Sequence, residues 1–278
     1  MLSLQKGSPM GKIIGGEYDG EYLFRKSAFQ EEKVKCCNKH SLKCSKKKCC
    51  KKCDINDDSD DEDDITDIEF DDGKIVPGPD PDKREVIYIA GKSGTGKTTY
   101  AAKWIENYQK QFPLNRIYVF SRKTEDPTLD ILKNLIRIPI NNRLVDQPID
   151  LTKDLCDCLV LFDDCNTIPE KKLQQAVSKL QNDILEVGRQ QKVNIICTSH
   201  LINQNNKSDS RTIMNEMTSL TIFPESGIKY FIDYVAKKYL GLAKHDIDAI
   251  YDLKSRWVTI FTDSPTTILY EHGAWVTG

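Results

Sequence analysis

The stretch VIYIAGKSGTGKTTY, residues 86–100, constrains this chain more than any other. Val86–Ala90 is short, apolar and β-branched, which predicts a buried strand. From Thr98 to about Gln111 the residues Ala101, Trp104, Ile105 and Tyr108 recur on one side of a predicted helix. A glycine-rich turn between a strand and a helix lets backbone N–H groups converge at the positive end of the helix dipole, where an anion is stabilised. The spacing Gly91-x4-Gly96-Lys97-Thr98 meets the phosphate-loop pattern at every fixed position. Gly91, Lys92, Ser93, Gly94, Thr95, Gly96, Lys97, Thr98 and Thr99 are therefore expected to cradle the phosphates of ATP. Lys97 would reach the β- and γ-phosphates, and the Thr98 hydroxyl would take a Mg²⁺ position.

Downstream, apolar segments alternate with helical ones. Residues 116–121, 135–140, 158–164, 194–200 and 219–224 read as strands. Between the third and fourth, Leu173, Val177, Leu180, Ile184 and Val187 mark one face of an amphipathic helix over 169–187, with Gly188 suited to a C′ position. Residues 227–239 and 246–253 read as helices, and RWVTIF and TTILYE as a closing pair of strands around TDSP. Continuous apolar strands joined by helices predict an α/β fold: a mostly parallel sheet covered by helices on both faces. Two strand-like segments lie between Lys97 and Asp163, leaving room for a strand inserted between the loop strand and the acidic strand. That insertion fits a P-loop NTPase of the RecA-like (ASCE) branch better than a small nucleotide kinase.

LVLFDDCN delivers two acids, Asp163 and Asp164, to the carboxyl end of a strand, where ligands of such sheets bind. Asp163 is expected to hold Mg²⁺ through water, and Asp164 to orient or deprotonate an attacking water; paired aspartates also occur at plain strand-to-turn exits. Thr198, Ser199 and His200 end the next strand, so His200 would face the γ-phosphate from beside Asp163. Arg189, after the helix, is either a solvated cation stabilised by the helix dipole or a catalytic group at the edge of the nucleotide site.

The N-terminal side differs in composition. Net charge over the 278 residues is −2, which does not announce a nucleic-acid binder, but the charge is segregated. Nine lysines fall in 33–53, followed by the acidic run DDSDDEDD. Residues 1–73 are read as a low-complexity arm, Cys/Lys-rich and then Asp-rich and disordered, 74–84 as a linker and 85–278 as the ATPase domain. Six of ten cysteines lie at 36, 37, 44, 49, 50 and 53, near His40. Two readings stay open for them: a Zn²⁺ site, and a disordered basic arm that touches DNA phosphates or pairs with the acidic run. Cys156, Cys158, Cys165 and Cys197 read as small buried hydrophobes. No signal-peptide core and no run of roughly 18 apolar residues is seen, so the expectation is an intracellular protein with no membrane span.

GKSGTGKTT, LVLFDD and GRQQKVNIICTSH together resemble the FtsK–HerA superfamily of DNA-pumping ATPases. With RTIMNEMTSLTIFP and the KYLGL…LKSRWVTIF tail, residues 84–278 are most similar to the poxvirus-type genome-packaging ATPases of nucleocytoplasmic large DNA viruses. The second acid of the superfamily is usually Glu, here Asp164, and the strand-tip residue is often Gln, here His200. The resemblance implies an enzyme that hydrolyses ATP to drive double-stranded DNA into a preformed capsid. It implies a homo-oligomeric ring, usually a hexamer, acting at a capsid vertex or portal, located in the host cytoplasm (viral factory) or the virion. It makes Arg189 a trans-acting arginine finger. A nucleoside or small-molecule kinase and a nucleotide-gated interaction protein are the competing functions. No arginine-dense lid is visible for the first, and Asp164 is superfluous for the second.

Overall fold

The computed structural model describes residues 1–26, 65–165, 168–200, 209–226 and 229–277. Its N-terminal part departs from the disordered arm expected over 1–73. Strands β1 (Leu2–Ser3), β2 (Ser8–Ile14) and β3 (Tyr22–Arg25) join β5 (Lys74–Pro77) in a four-stranded sheet of order β1-β3-β2-β5, while β4 (Asp67–Glu69) goes elsewhere. The driving force is a small set of apolar side chains, Leu2, Met10, Ile13, Leu23 and Ile75, all buried. Gly11 permits the close approach of β2 and β5, since a Cβ there would lie 2.6 Å from Ile75 Cγ2. The cysteine-rich stretch and the acidic run lie outside the described residues.

The main body begins with β6 (Val86–Ala90) and α1 (Lys97–Gln111), followed by β7 (Ile117–Ser121) and β8 (Leu135–Pro139). Two single turns, α2 (Arg143–Asp146) and α3 (Leu151–Asp154), lead into β9 (Leu159–Asp163), α4 (Lys171–Val187) and β10 (Asn194–Ser199). The chain continues as α5 (Asp209–Glu216), β11 (Ser219–Ile222), α6 (Lys229–Lys238) and α7 (Lys244–Asp252), and closes with β12 (Val258–Phe261), β13 (Thr267–Tyr270) and β14 (Gly273–Val276). The ten-stranded sheet has the order β4-β14-β13-β12-β11-β6-β10-β9-β7-β8. From β11 to β8 the neighbours are parallel, and from β11 to β4 they are antiparallel. This is the expected α/β, P-loop NTPase architecture, but the strand between the loop strand β6 and the acidic strand β9 is β10, which follows the acids in sequence, while the two segments between Lys97 and Asp163, β7 and β8, lie beyond β9.

Alternation along the central strands separates two cores. Ile87, Ile89, Leu161 and Ile196 face α1 and the small N-terminal sheet. Val86, Tyr88, Val160 and Cys197 face α4 to α7, where Leu173, Val177, Leu180 and Ile184 present the predicted stripe. Gly188 is not the left-handed cap expected of it, since its φ is −61°. The end of α4 is satisfied instead by Arg84, whose guanidinium donates to the carbonyls of Ile184 (2.5 Å), Leu185 (3.1 Å) and Val193 (2.8 Å). A Cβ at residue 188 would lie 2.4 Å from the Ile184 carbonyl oxygen and 3.2 Å from that guanidinium, which explains the glycine better than φ does. Cys158, Cys165 and Cys197 are buried as expected; Cys156 is exposed, because it occupies a turn beside Asp157 and not the strand.

Candidate active site

The turn between β6 and α1 has the backbone that its glycines allow. Gly94 (φ 79°) and Gly96 (φ 103°) occupy the left-handed region, where a side chain would be strained. A Cβ on Gly91 would lie 2.8 Å from the Phe223 ring. The first turn of α1 has no side-chain cap and no acidic residue, so its N–H groups are available to an anion. Lys92, Ser93 and Thr99 are exposed and Thr98 half-buried around it.

Lys97 is buried under the turn. Its Nζ donates to the carbonyls of Gly91 (3.0 Å) and Lys92 (3.2 Å). The same atom sits 3.3 Å from His200 Nδ1 and 3.8 Å from Asp164 Oδ2. Burial pushes the Lys97 pKa below its ordinary value, while Asp164 and then Asp163 pull it back up.

The two acids differ in environment although they are adjacent in sequence. Asp163 is 3% exposed. Its Oδ1 accepts from Thr198 Oγ1 (3.1 Å) and its Oδ2 from Ser121 Oγ (3.2 Å). Burial raises the Asp163 pKa, and the charge of Asp164 raises it further. Asp164 leaves the strand at φ 48°, a region that aspartate tolerates better than most residues. Its amide donates to Thr198 Oγ1 (2.9 Å), so one hydroxyl fixes both acids. Its Oδ2 lies 3.3 Å from His200 Nε2. His200 thus bridges Lys97 and Asp164 through its two ring nitrogens.

Lys97, Asp163, Asp164 and His200 are therefore brought together at the carboxyl ends of β9 and β10, beside the glycine turn. Arg189 is not. It precedes β10 at the other end of the strand, exposed, and close enough to Arg84 to lower that residue's pKa after burial has done so. The six residues of β10 separate it from the phosphate turn of its own chain, roughly 20 Å at about 3.3 Å per residue. Sequence reasoning placed Arg189 at the site's edge and missed Ser121, which the parallel register sets opposite Asp163. The hydroxyl ending the apolar run IYVFS was the available signal.

The donors around the turn are oxygens, a Thr98 hydroxyl and two carboxylates, which fit a hard cation such as Mg²⁺. Among the described residues no group of three or more His, Cys, Asp or Glu could hold a metal ion by itself. A Mg²⁺ at this site would depend on phosphate and water oxygens for the rest of its shell. The thiols of 36–53 offered for Zn²⁺ lie outside the described residues. Among the described residues no helix is long and apolar enough to cross a membrane.

No family model matches the chain. The uncharacterized protein V3 of Sputnik virophage is 52% identical over 204 residues, which is 73% of this chain and 81% of V3. Among solved structures, the genome packaging NTPase B204 of Sulfolobus turreted icosahedral virus 2 with AMPPCP is similar over 68% of this chain and 97% of that one, with a TM-score of 0.46 and 10% identity. The monomer of the pCW3 conjugation coupling protein TcpA with ATPγS is similar over 78% and 68% of the two chains, with a TM-score of 0.46 and 12% identity. Neither structural likeness bears on activity.

Proposed function

The chain belongs to the family of the uncharacterized protein V3 of Sputnik virophage, and we propose that it is an ATPase that drives double-stranded DNA into a viral capsid. The observation that carries the ATPase half is Asp164, held beside Lys97 and His200 at the mouth of an uncapped glycine turn. Lys97 leaves the carbonyls of Gly91 and Lys92 for the β- and γ-phosphates, whose charge compensates for its burial. Thr98 and, through water, Asp163 would hold Mg²⁺, which would supply charge neutralisation of the phosphates. Asp164 accepts the proton of the attacking water, and His200 positions that carboxylate.

The DNA half rests on the resemblance of GRQQKVNIICTSH and the C-terminal tail to DNA-pumping ATPases, and on the exposure of Arg189 away from its own phosphate turn. A finger placed so can act only on a neighbouring subunit; a ring, a hexamer at a capsid vertex, in the host cytoplasm or the virion, is the assembly we propose. The test is ATP turnover with and without long duplex DNA. Stimulation by DNA supports the motor. Turnover indifferent to DNA removes it, phosphate transfer to a nucleoside replaces it with a kinase, and absence of turnover leaves a nucleotide-gated binding protein.

A further inference from the structure

The phosphate turn has two sides, and only one holds the acids. In the sheet β10 and β9 lie to one side of β6, and β11 and β12 to the other. A nucleotide whose terminal phosphate meets Lys97 and Asp164 must leave the turn on the β11–β12 side. A cavity of about 500 Å³ opens there, against Gly94–Gly96 of the turn and Thr99, Tyr100 and Lys103 of α1. Its volume is within the range of roughly 300–1,000 Å³ usual for small-molecule sites.

Phe223, Tyr100 and Trp257 contribute an aromatic floor, with the Tyr100 and Trp257 rings edge to face at 5.2 Å between centroids. Tyr100 is fixed by a 2.7 Å hydrogen bond between its hydroxyl and Thr259 Oγ1. The outer wall is Val76 and Pro77 of β5, with Ile14 of β2, so the N-terminal sheet closes the cavity. Lys74, Lys103 and Arg256 stand around it, and the one carboxylate, Glu271, already accepts from Arg256 Nε (2.9 Å) and Nη2 (2.7 Å). Aromatic and aliphatic walls with cations at the rim suit a flat ring joined to an anionic chain.

We propose that this cavity takes the base and ribose of the bound nucleotide, and that the N-terminal sheet is thereby part of the nucleotide site. The inference rests on the nucleotide-binding reading above. The experiment is calorimetric titration of the full chain, in Mg²⁺, with ATP and separately with inorganic tripolyphosphate, which has phosphates and no nucleoside. Val76→Trp fills the cavity from a half-buried position on β5, and Ile14→Trp, at a position 51% exposed, does so with less risk to folding. Each should displace the base from the aromatic floor, weakening ATP about tenfold, roughly the worth of one base–aromatic contact, and leave tripolyphosphate within about twofold. Unchanged ATP affinity in both folded variants overturns the proposal, as does an equal loss for both ligands. A parent protein that binds neither ligand overturns the nucleotide reading itself, and the cavity assignment with it.

Discussion

The parallel and antiparallel halves of the large sheet teach different lessons. In the parallel half, β6 and β9 are buried at every position, because helices or the N-terminal sheet cover both faces. Such strands end together at one edge, and their tip residues, Asp163, Ser199 and the glycine turn, are forced into proximity by register alone. The antiparallel half, with the four-stranded sheet beside it, brings Glu271 to that edge, but Arg256 already engages that carboxylate. It builds walls, and the cavity proposed for the nucleoside lies where those walls meet the phosphate turn. Chemistry belongs to one half and shape to the other.

The strongest way to break this division is through Arg189, which belongs to the parallel half but sits at its wrong end. Acting on a neighbour, it would contribute roughly 10³-fold to turnover without touching ATP affinity. Arg189→Ala should bind ATP normally and be nearly inactive, and mixing it with Lys97→Ala under confirmed subunit exchange should restore activity. Mixed samples as inactive as either variant alone would make Arg189 a capping cation of its own chain.

A smaller effect tests whether the N-terminal sheet is structural. Ile13 is fully buried between that sheet and the core around α1. Ile13→Ala should lower the urea unfolding free energy by about 2–4 kcal/mol. A change within about 0.5 kcal/mol would return residues 1–26 to the status of an appended arm.

Asp163 gives the smallest effect and an opposite sign. Its pKa is raised in the folded chain, first by burial and then by Asp164, so the folded state holds its proton after the unfolded state has lost it. Stability from this group therefore falls as pH rises from the ordinary aspartate range toward the raised folded value, and at neutral pH the buried charge is a cost. Asp163→Asn should stabilise the unliganded protein, on the order of 1 kcal/mol, while removing the response of ATP turnover to Mg²⁺. Thermal unfolding of the two proteins without nucleotide checks this; a lower melting temperature for the variant would contradict it.

How much of this was legible follows the same division. Residues 86–90, 158–164 and 194–200 declare themselves by short apolar runs and Pro169–Val187 by its stripe, so the parallel sheet was legible, but the strand order was not: the strand between β6 and β9 is β10, which follows the two acids, and not one of the segments between Lys97 and Asp163. β1 to β5 could not be read, for they are two to seven residues long, β2 is interrupted by Gly11 and flanked by Gly7 and Gly15, and β4 and β5 find their partners far away in sequence. β4 reads as part of an acidic tract because it is an edge strand with exposed Asp67 and Glu69, the charge pattern that keeps a sheet edge from pairing further. Arg189 was misplaced for a geometric reason: a residue before a parallel strand lies at the opposite edge from the residues that end it.

The central claim is that Asp164 at the end of β9 serves the hydrolysis of bound ATP. Single-turnover hydrolysis by Asp164→Asn, beside a direct measure of its ATP affinity, tests it most directly. The account predicts ATP bound at the parent affinity and hydrolysed roughly 10²-fold more slowly. Hydrolysis at the parent rate would contradict it.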